Sequence, residues 1–98
     1  VDFRHPIGIV IGDGVKIGDN VKIWHNVTIG SHGKANEDLG YPTIEKNVRI
    51  YEGATIIGKI VIGENSLIGS KSLVNKDVPQ DSTAFGIPAK IKFNANLS

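Results

Sequence analysis

The stretch Ile44-Glu45-Lys46-Asn47-Val48-Arg49-Ile50-Tyr51-Glu52-Gly53-Ala54-Thr55-Ile56-Ile57-Gly58-Lys59-Ile60-Val61-Ile62 places an isoleucine at every sixth position. Ile68 and Val74 continue the series toward the C-terminus, and Ile29, Ile23, Ile17 and Ile11 carry it back toward the N-terminus. A period of six is neither the 3.6 of a helix nor the bare alternation of a generic strand. Self-similarity at this spacing is the signature of a parallel β-helix, in which short strands stack coil upon coil. A strand-rich sandwich would share the Gly and Asn punctuation but would not hold one residue type at a strict six-residue register.

Four residues after each repeat isoleucine stand Val15, Val21, Val27, Val48, Ala54, Ile60, Ser66 and Ser72, side chains that fit inside a narrow prism. One position earlier come Gly14, Asn20, Asn26, Asn47, Gly53, Lys59, Asn65 and Lys71. Gly and Asn enter left-handed backbone most cheaply, so a corner is expected once per hexad. Three hexads make one triangular coil. Residues eighteen apart, such as Ile11 and Ile29 or Ile50 and Ile68, should then lie above one another, with Lys16, Lys22, Lys46 and Arg49 outside.

The 98 residues suit a single domain, 1–98, with a loop at 31–43 and a C-terminal segment at 78–98. Each coil of a solenoid touches only its neighbours, so the end coils need caps. Val1 begins almost directly in the ladder with no capping helix, and the expectation is a fragment or a chain that leans on partners through a flat prism face. A net charge of +1 with lysines spread along the chain lacks the concentrated basic stripe of a nucleic-acid binder. With no cysteine there is no disulfide framework, thiol nucleophile or thiolate metal site. No apolar run approaches a membrane span and no signal-peptide pattern opens the chain, which points to a cytoplasmic protein.

The register breaks once. Fifteen positions separate Ile29 from Ile44, where the pattern suggests twelve. The intervening run from Gly30 to Thr43 is polar and glycine-rich, so it should leave the prism as one extruded loop, and loops on rigid scaffolds are where function concentrates.

Gly8-Ile9-Val10-Ile11-Gly12, Val27-Thr28-Ile29-Gly30, Gly33-Lys34, Val78-Pro79, Ser82-Thr83-Ala84 and Gly86-Ile87-Pro88-Ala89-Lys90-Ile91 resemble the catalytic domain of serine O-acetyltransferases and their polysaccharide O-acetyltransferase relatives. The resemblance covers residues 4–91. It implies an all-β, left-handed parallel β-helix, the known exception to right-handed crossovers. It also implies a homotrimer with sites between prisms and acetyl transfer from acetyl-CoA to a hydroxyl. His5 falls on the family's catalytic histidine, before a Pro6-Ile7-Gly8 bend that would hold it off the ladder. A base near neutral pKa is what an acceptor hydroxyl needs to attack a thioester.

By the same resemblance the coenzyme runs past Ser31, His32 and Gly33, Glu52 and Gly53, and Gly69 and Ser70. Lys71, Lys90 and Lys92 are candidate phosphate partners by charge. No metal is expected. Arg4 stands where the serine enzymes have an aspartate, and Gly40-Tyr41 where they have Arg-His. Arg4 and Tyr41 are therefore read as acceptor-binding residues, Tyr41 stacking on a sugar ring, and the first acceptor reading is a polysaccharide or nucleotide-sugar precursor. Serine is the alternative. The carboxylate that orients the base in the family lies upstream of Val1, and Asp2 is the nearby substitute. His25 is read as an outward structural histidine. A γ-type carbonic anhydrase would need three histidine ligands, and the spacings of His5, His25 and His32 do not match its pattern. A non-catalytic solenoid would show a flat threonine array, which Thr28, Thr43, Thr55 and Thr83 do not form.

Overall fold

The computed structural model describes residues 1–31 and 40–94. Short strands follow one another as β1 (Asp2–Phe3), β2 (Val10–Ile11), β3 (Lys16–Ile17), β4 (Lys22–Ile23), β5 (Thr28–Gly30), β6 (Thr43–Ile44) and β7 (Arg49–Ile50). They continue as β8 (Thr55–Ile57), β9 (Val61–Ile62), β10 (Leu67–Ile68), β11 (Leu73–Val74), β12 (Ser82–Gly86) and β13 (Ala89–Phe93). As far as β11, every third strand joins the same sheet. The first face is β1-β4-β7-β10-β12-β13, the second β11-β8-β5-β2, and the third β3-β6-β9. All pairs are parallel except β12 with β13. The result is a left-handed parallel β-helix of triangular section.

The repeat isoleucines are the inward ladders. Ile11 pairs with Ile29 and Ile50 with Ile68, each eighteen residues on. Ile23, Ile29, Ile50, Ile56, Ile62 and Ile68 are fully buried, and Val21, Val27, Val48 and Ala54 fill the space between them. Lys16, Lys22, Lys46 and Arg49 are exposed. The two buried serines of the small-residue series have a second task. The Ser66 hydroxyl donates to the Pro79 carbonyl at 2.8 Å and accepts from the Ser82 amide at 3.3 Å, while the Ser72 hydroxyl accepts from the Gly86 amide at 3.1 Å. These bonds fasten a final turn that is shortened to sixteen residues, since Leu67 pairs with Thr83.

Corner chemistry follows the sequence at Asn20, Asn26, Asn47, Gly53, Asn65 and Lys71, all with φ between 57° and 73°. Asn47 and Asn65 also form a rail, Nδ2 of Asn47 donating to Oδ1 of Asn65 at 3.2 Å and Nδ2 of Asn65 to Oδ1 of Asp81 at 3.1 Å. Two expected corners differ. Gly14 is not left-handed, and Gly58, at φ 102°, takes the part expected of Lys59. Here β8 runs one residue longer than β7 and β9, the strands before and after it in the chain, and the corner is a tight turn in which the Ile60 amide donates to the Gly58 carbonyl at 2.9 Å.

The break in register is also larger than the spacing suggests. Ile17 pairs with Ile44, Lys22 with Arg49 and Ile29 with Ile56, each twenty-seven residues apart, nine more than a regular coil. Ile44 occupies the face immediately after that of Ile29, so no side of the prism is skipped and fifteen stands for six plus nine. Periodicity alone could not separate that sum from twelve plus three.

The two ends contrast with the middle. In the first coil Ile7 and Val10 are 73% and 60% exposed, and Ile9, Ile11, Val15 and Ile17 are only partly buried. At the other end β12 and β13 form an antiparallel hairpin, with Phe85, Ile87 and Phe93 exposed. Among the described residues no helix is long and apolar enough to cross a membrane.

Candidate functional site

Stacking at a fixed register turns residues distant in sequence into columns. The amides of Arg4, Trp24, Tyr51 and Gly69 donate to the carbonyls of Ile23, Ile50, Ile68 and Ala84, at 2.8–3.0 Å, so these four share one edge of the prism after the first face. The next residues along the chain are His5, His25, Glu52 and Ser70. The Gly53 amide donates to the His25 carbonyl at 3.0 Å and the Lys71 amide to the Glu52 carbonyl at 2.8 Å, which keeps this second column in step.

His5 sits where the column is disturbed. Phe3 pairs with Ile23, twenty residues on, so the first corner carries two more residues than a regular coil. The Ile7 amide folds back to the His5 carbonyl at 2.7 Å across Pro6, and the Asn26 amide reaches the Ile7 carbonyl at 2.8 Å. The bend holds the exposed His5 off the ladder. Its ring meets that of half-buried His25 edge to face, with centroids 5.9 Å apart and planes at 82°. His5, Ile7 and His25 line a hollow of about 280 Å³.

Below His25 the column becomes anionic. A hydrogen bond from Ser70 is the largest influence holding the Glu52 carboxyl below its ordinary range; a backbone bond helps, desolvation opposes it, and attraction to His25 and Lys71 adds lesser support. Gly53 and Lys71 are stacked at left-handed corners. Gly69 lies beneath Phe85, and Lys90 is the antiparallel partner of Phe85, at the far end of the same edge. Trp24 and Tyr51 stack beside the column with centroids 4.5 Å apart.

The structure thus gathers His5, Arg4, Glu52, Gly53, Gly69, Ser70 and Lys71 on one edge, with Lys90 at its end. Tyr41 stands elsewhere. Its ring lies over Gly12 and Gly14, where any Cβ would collide with it, at the edge between the second and third faces. Ser31 follows β5 and is half-buried, whereas His32 and Gly33 lie outside the described residues. Asp2 is engaged by Arg4, whose guanidinium donates to its carboxylate at 2.8 Å. Among the described residues no three His, Cys, Asp or Glu side chains converge as metal ligands.

Two features of this edge escape a reading by hexads. His25, read as an outward structural residue, is packed against His5, and Trp24 is packed against Tyr51. Only the coil lengths seen in the structure bring them together: His5 and His25 differ by one coil plus two residues, and Trp24 and Tyr51 by the enlarged coil of twenty-seven.

Residues 41–76 match the family model of the bacterial transferase hexapeptide, six repeats. The serine acetyltransferase of Buchnera aphidicola subsp. Acyrthosiphon pisum is 49% identical over 87 residues, 89% of this chain and 32% of its own length. That of Synechococcus elongatus is 40% identical over 93 residues, 95% of this chain and 38% of its own. The chain thus carries a hexapeptide-repeat transferase domain. Among solved structures of this family, soybean serine acetyltransferase complexed with serine superposes with a TM-score of 0.88 at 44% identity, covering 93% of this chain and 37% of the other. Serine acetyltransferase from Brucella abortus in complex with coenzyme A gives 0.87 at 40% identity, covering 92% and 36%. The chain spans about a third of the length of the hexapeptide-repeat relatives it matches.

Proposed function

We propose that this chain carries the acetyl-transfer site of an acetyl-CoA-dependent O-acetyltransferase, with His5 as general base. The observation that carries the reading is the placement of His5: the Pro6 bend lifts one imidazole off the ladder at a prism edge, in a domain 40–49% identical to enzymes named serine acetyltransferase. Acetyl-CoA supplies the activated acyl group. His5 takes the proton of the acceptor hydroxyl as its oxygen bonds to the thioester carbonyl carbon, and gives that proton to the departing sulfur as the carbon–sulfur bond breaks. Backbone amides of the edge stabilise the developing oxyanion. Ser31, Gly53, Gly69 and Ser70 offer backbone to the coenzyme arm, and Lys71 and Lys90 offer charge to its phosphates.

Serine is now the favoured acceptor. The relatives are named for serine, and one solved relative holds it. The sugar hydroxyl that ranked first in the sequence has less support, because Tyr41 has one ring face seated on Gly12 and Gly14 of its own chain. What still speaks for a sugar is the chain's own departure at Arg4 and Gly40-Tyr41. A homotrimer fits this reading, since the His5 edge brings few acceptor-binding groups of its own and a neighbouring prism could supply them. A cytoplasmic setting fits the coenzyme.

Thiol release from acetyl-CoA, scanned over serine and a panel of sugar acceptors, tests the proposal. His5→Ala should lower turnover by about 10²- to 10⁴-fold, the usual worth of a positioned base, with coenzyme affinity and assembly state kept. Near-normal turnover in that variant would reject the assignment.

A further inference from the structure

A general base acts only when it is aimed, and a misplacement of about 1 Å can cost on the order of a hundredfold in rate. His5 stands exposed on the stretched corner of the open first coil, so its backbone is held by the bend but its ring has little packing around it. The carboxylate nearest to it in sequence is taken: Asp2 pairs with Arg4 at 2.8 Å. Among the described residues, the ring that meets His5 is His25, edge to face at 5.9 Å.

We propose that His25 is a positioning residue for the His5 base, its ring fixing the His5 imidazole at the mouth of the hollow while the Gly53 amide, one coil further, holds the His25 backbone. The proposal rests on the acetyl-transfer reading and adds to it a residue placed by the coil register. His25 suits the task because it is half-buried and belongs to a well-packed coil, between fully buried Ile23 and Val27. Its carbonyl is tied by the Gly53 amide to the corner that carries Glu52. That corner is tied onward in turn, the Lys71 amide donating to the Glu52 carbonyl at 2.8 Å. The ring contact and these backbone bonds therefore link a base on the open coil to the middle coils. Edge-to-face contact is the arrangement aromatic rings prefer, the positive rim of one against the negative face of the other.

The experiment uses the full protein with acetyl-CoA and the best acceptor from the panel. His25→Ala should lower kcat roughly tenfold, a partial loss of aim, while KM for acetyl-CoA and the thermal midpoint stay unchanged. His25→Phe, which restores a ring edge, should recover most of the loss. In NMR spectra the His5 ring-proton resonances should shift in His25→Ala, because a neighbouring ring has gone. An active wild type with unchanged kcat in His25→Ala overturns the proposal alone, as does a rise in KM with kcat kept or an equal loss in His25→Phe. A wild-type protein that releases no thiol with any acceptor overturns the transfer reading and this proposal together, and the NMR shift then still reports whether the two rings meet.

Discussion

The coils between Ile44 and Val74 and the coil before Asn20 are made of the same hexads and behave differently. In the middle, β6, β7, β8 and β10 are each paired on both sides, the inward isoleucines are buried, and the register holds at eighteen residues. In the first coil the strands are paired on one side, the apolar residues remain partly open, and two extra residues push His5 away from the axis. Regularity stabilises and irregularity presents chemistry. The candidate base is mounted on the loosest coil and backed by the tightest ones.

The largest effect that would break this contrast lies in the ladders. Ile50→Ala removes a fully buried side chain between two neighbouring coils and should cost about 2–5 kcal/mol, whereas Ile11→Ala in the open coil should cost well under half as much. Urea denaturation of both variants measures the difference, and equal losses would mean that the first coil is packed as firmly as the middle. A smaller effect is expected where the second coil is clasped to the first. Gly14→Ala drives a Cβ into the Tyr41 ring and should cost about 1–3 kcal/mol, the usual range for overpacking. In a Tyr41→Ala background the same change should be nearly neutral, and a double-mutant cycle reads the coupling.

The smallest effect is electrostatic. The Glu52 carboxyl is held below the ordinary glutamate range, chiefly by a hydrogen bond from Ser70, so it stabilises the fold when ionised. Its contribution is fully present above the unfolded pKa and is lost as pH falls through the lower folded one. Glu52→Gln should therefore be slightly less stable than the wild type near neutrality, and the two should converge in acid. Thermal melts from pH 7 to 3 check the sign.

How much of this was legible follows from what a period can encode. Six-residue spacing defines faces, inward positions and most corners, because each depends on a residue type at a fixed place: Ile29 above Ile11, Asn47 and Asn65 at left-handed turns. It cannot encode the length of a coil. Nine inserted residues therefore looked like three, the corner at Gly58 was placed on Lys59, and the pairing of His5 with His25 was hidden behind a two-residue stretch at Pro6. The closing hairpin was hidden too, since antiparallel return of Ala89–Phe93 onto β12 depends on what the last coil leaves unpaired and not on any repeat. At the site, His5 was legible because a proline bend interrupts the pattern beside it, while His25 sits in an ordinary hexad and gains its place only from the coil above.

Gly40 lies beneath the Lys59 stem and Tyr41 is seated on Gly12 and Gly14, while on the other side of the gap Gly30 is hydrogen-bonded through its carbonyl to Gly58. Both posts of the insertion are thus anchored to the prism. A scaffold with such a fixed gate can exchange that peptide for one of different length or chemistry while its walls stay in place, which makes this position the natural port for grafting new specificity onto the prism.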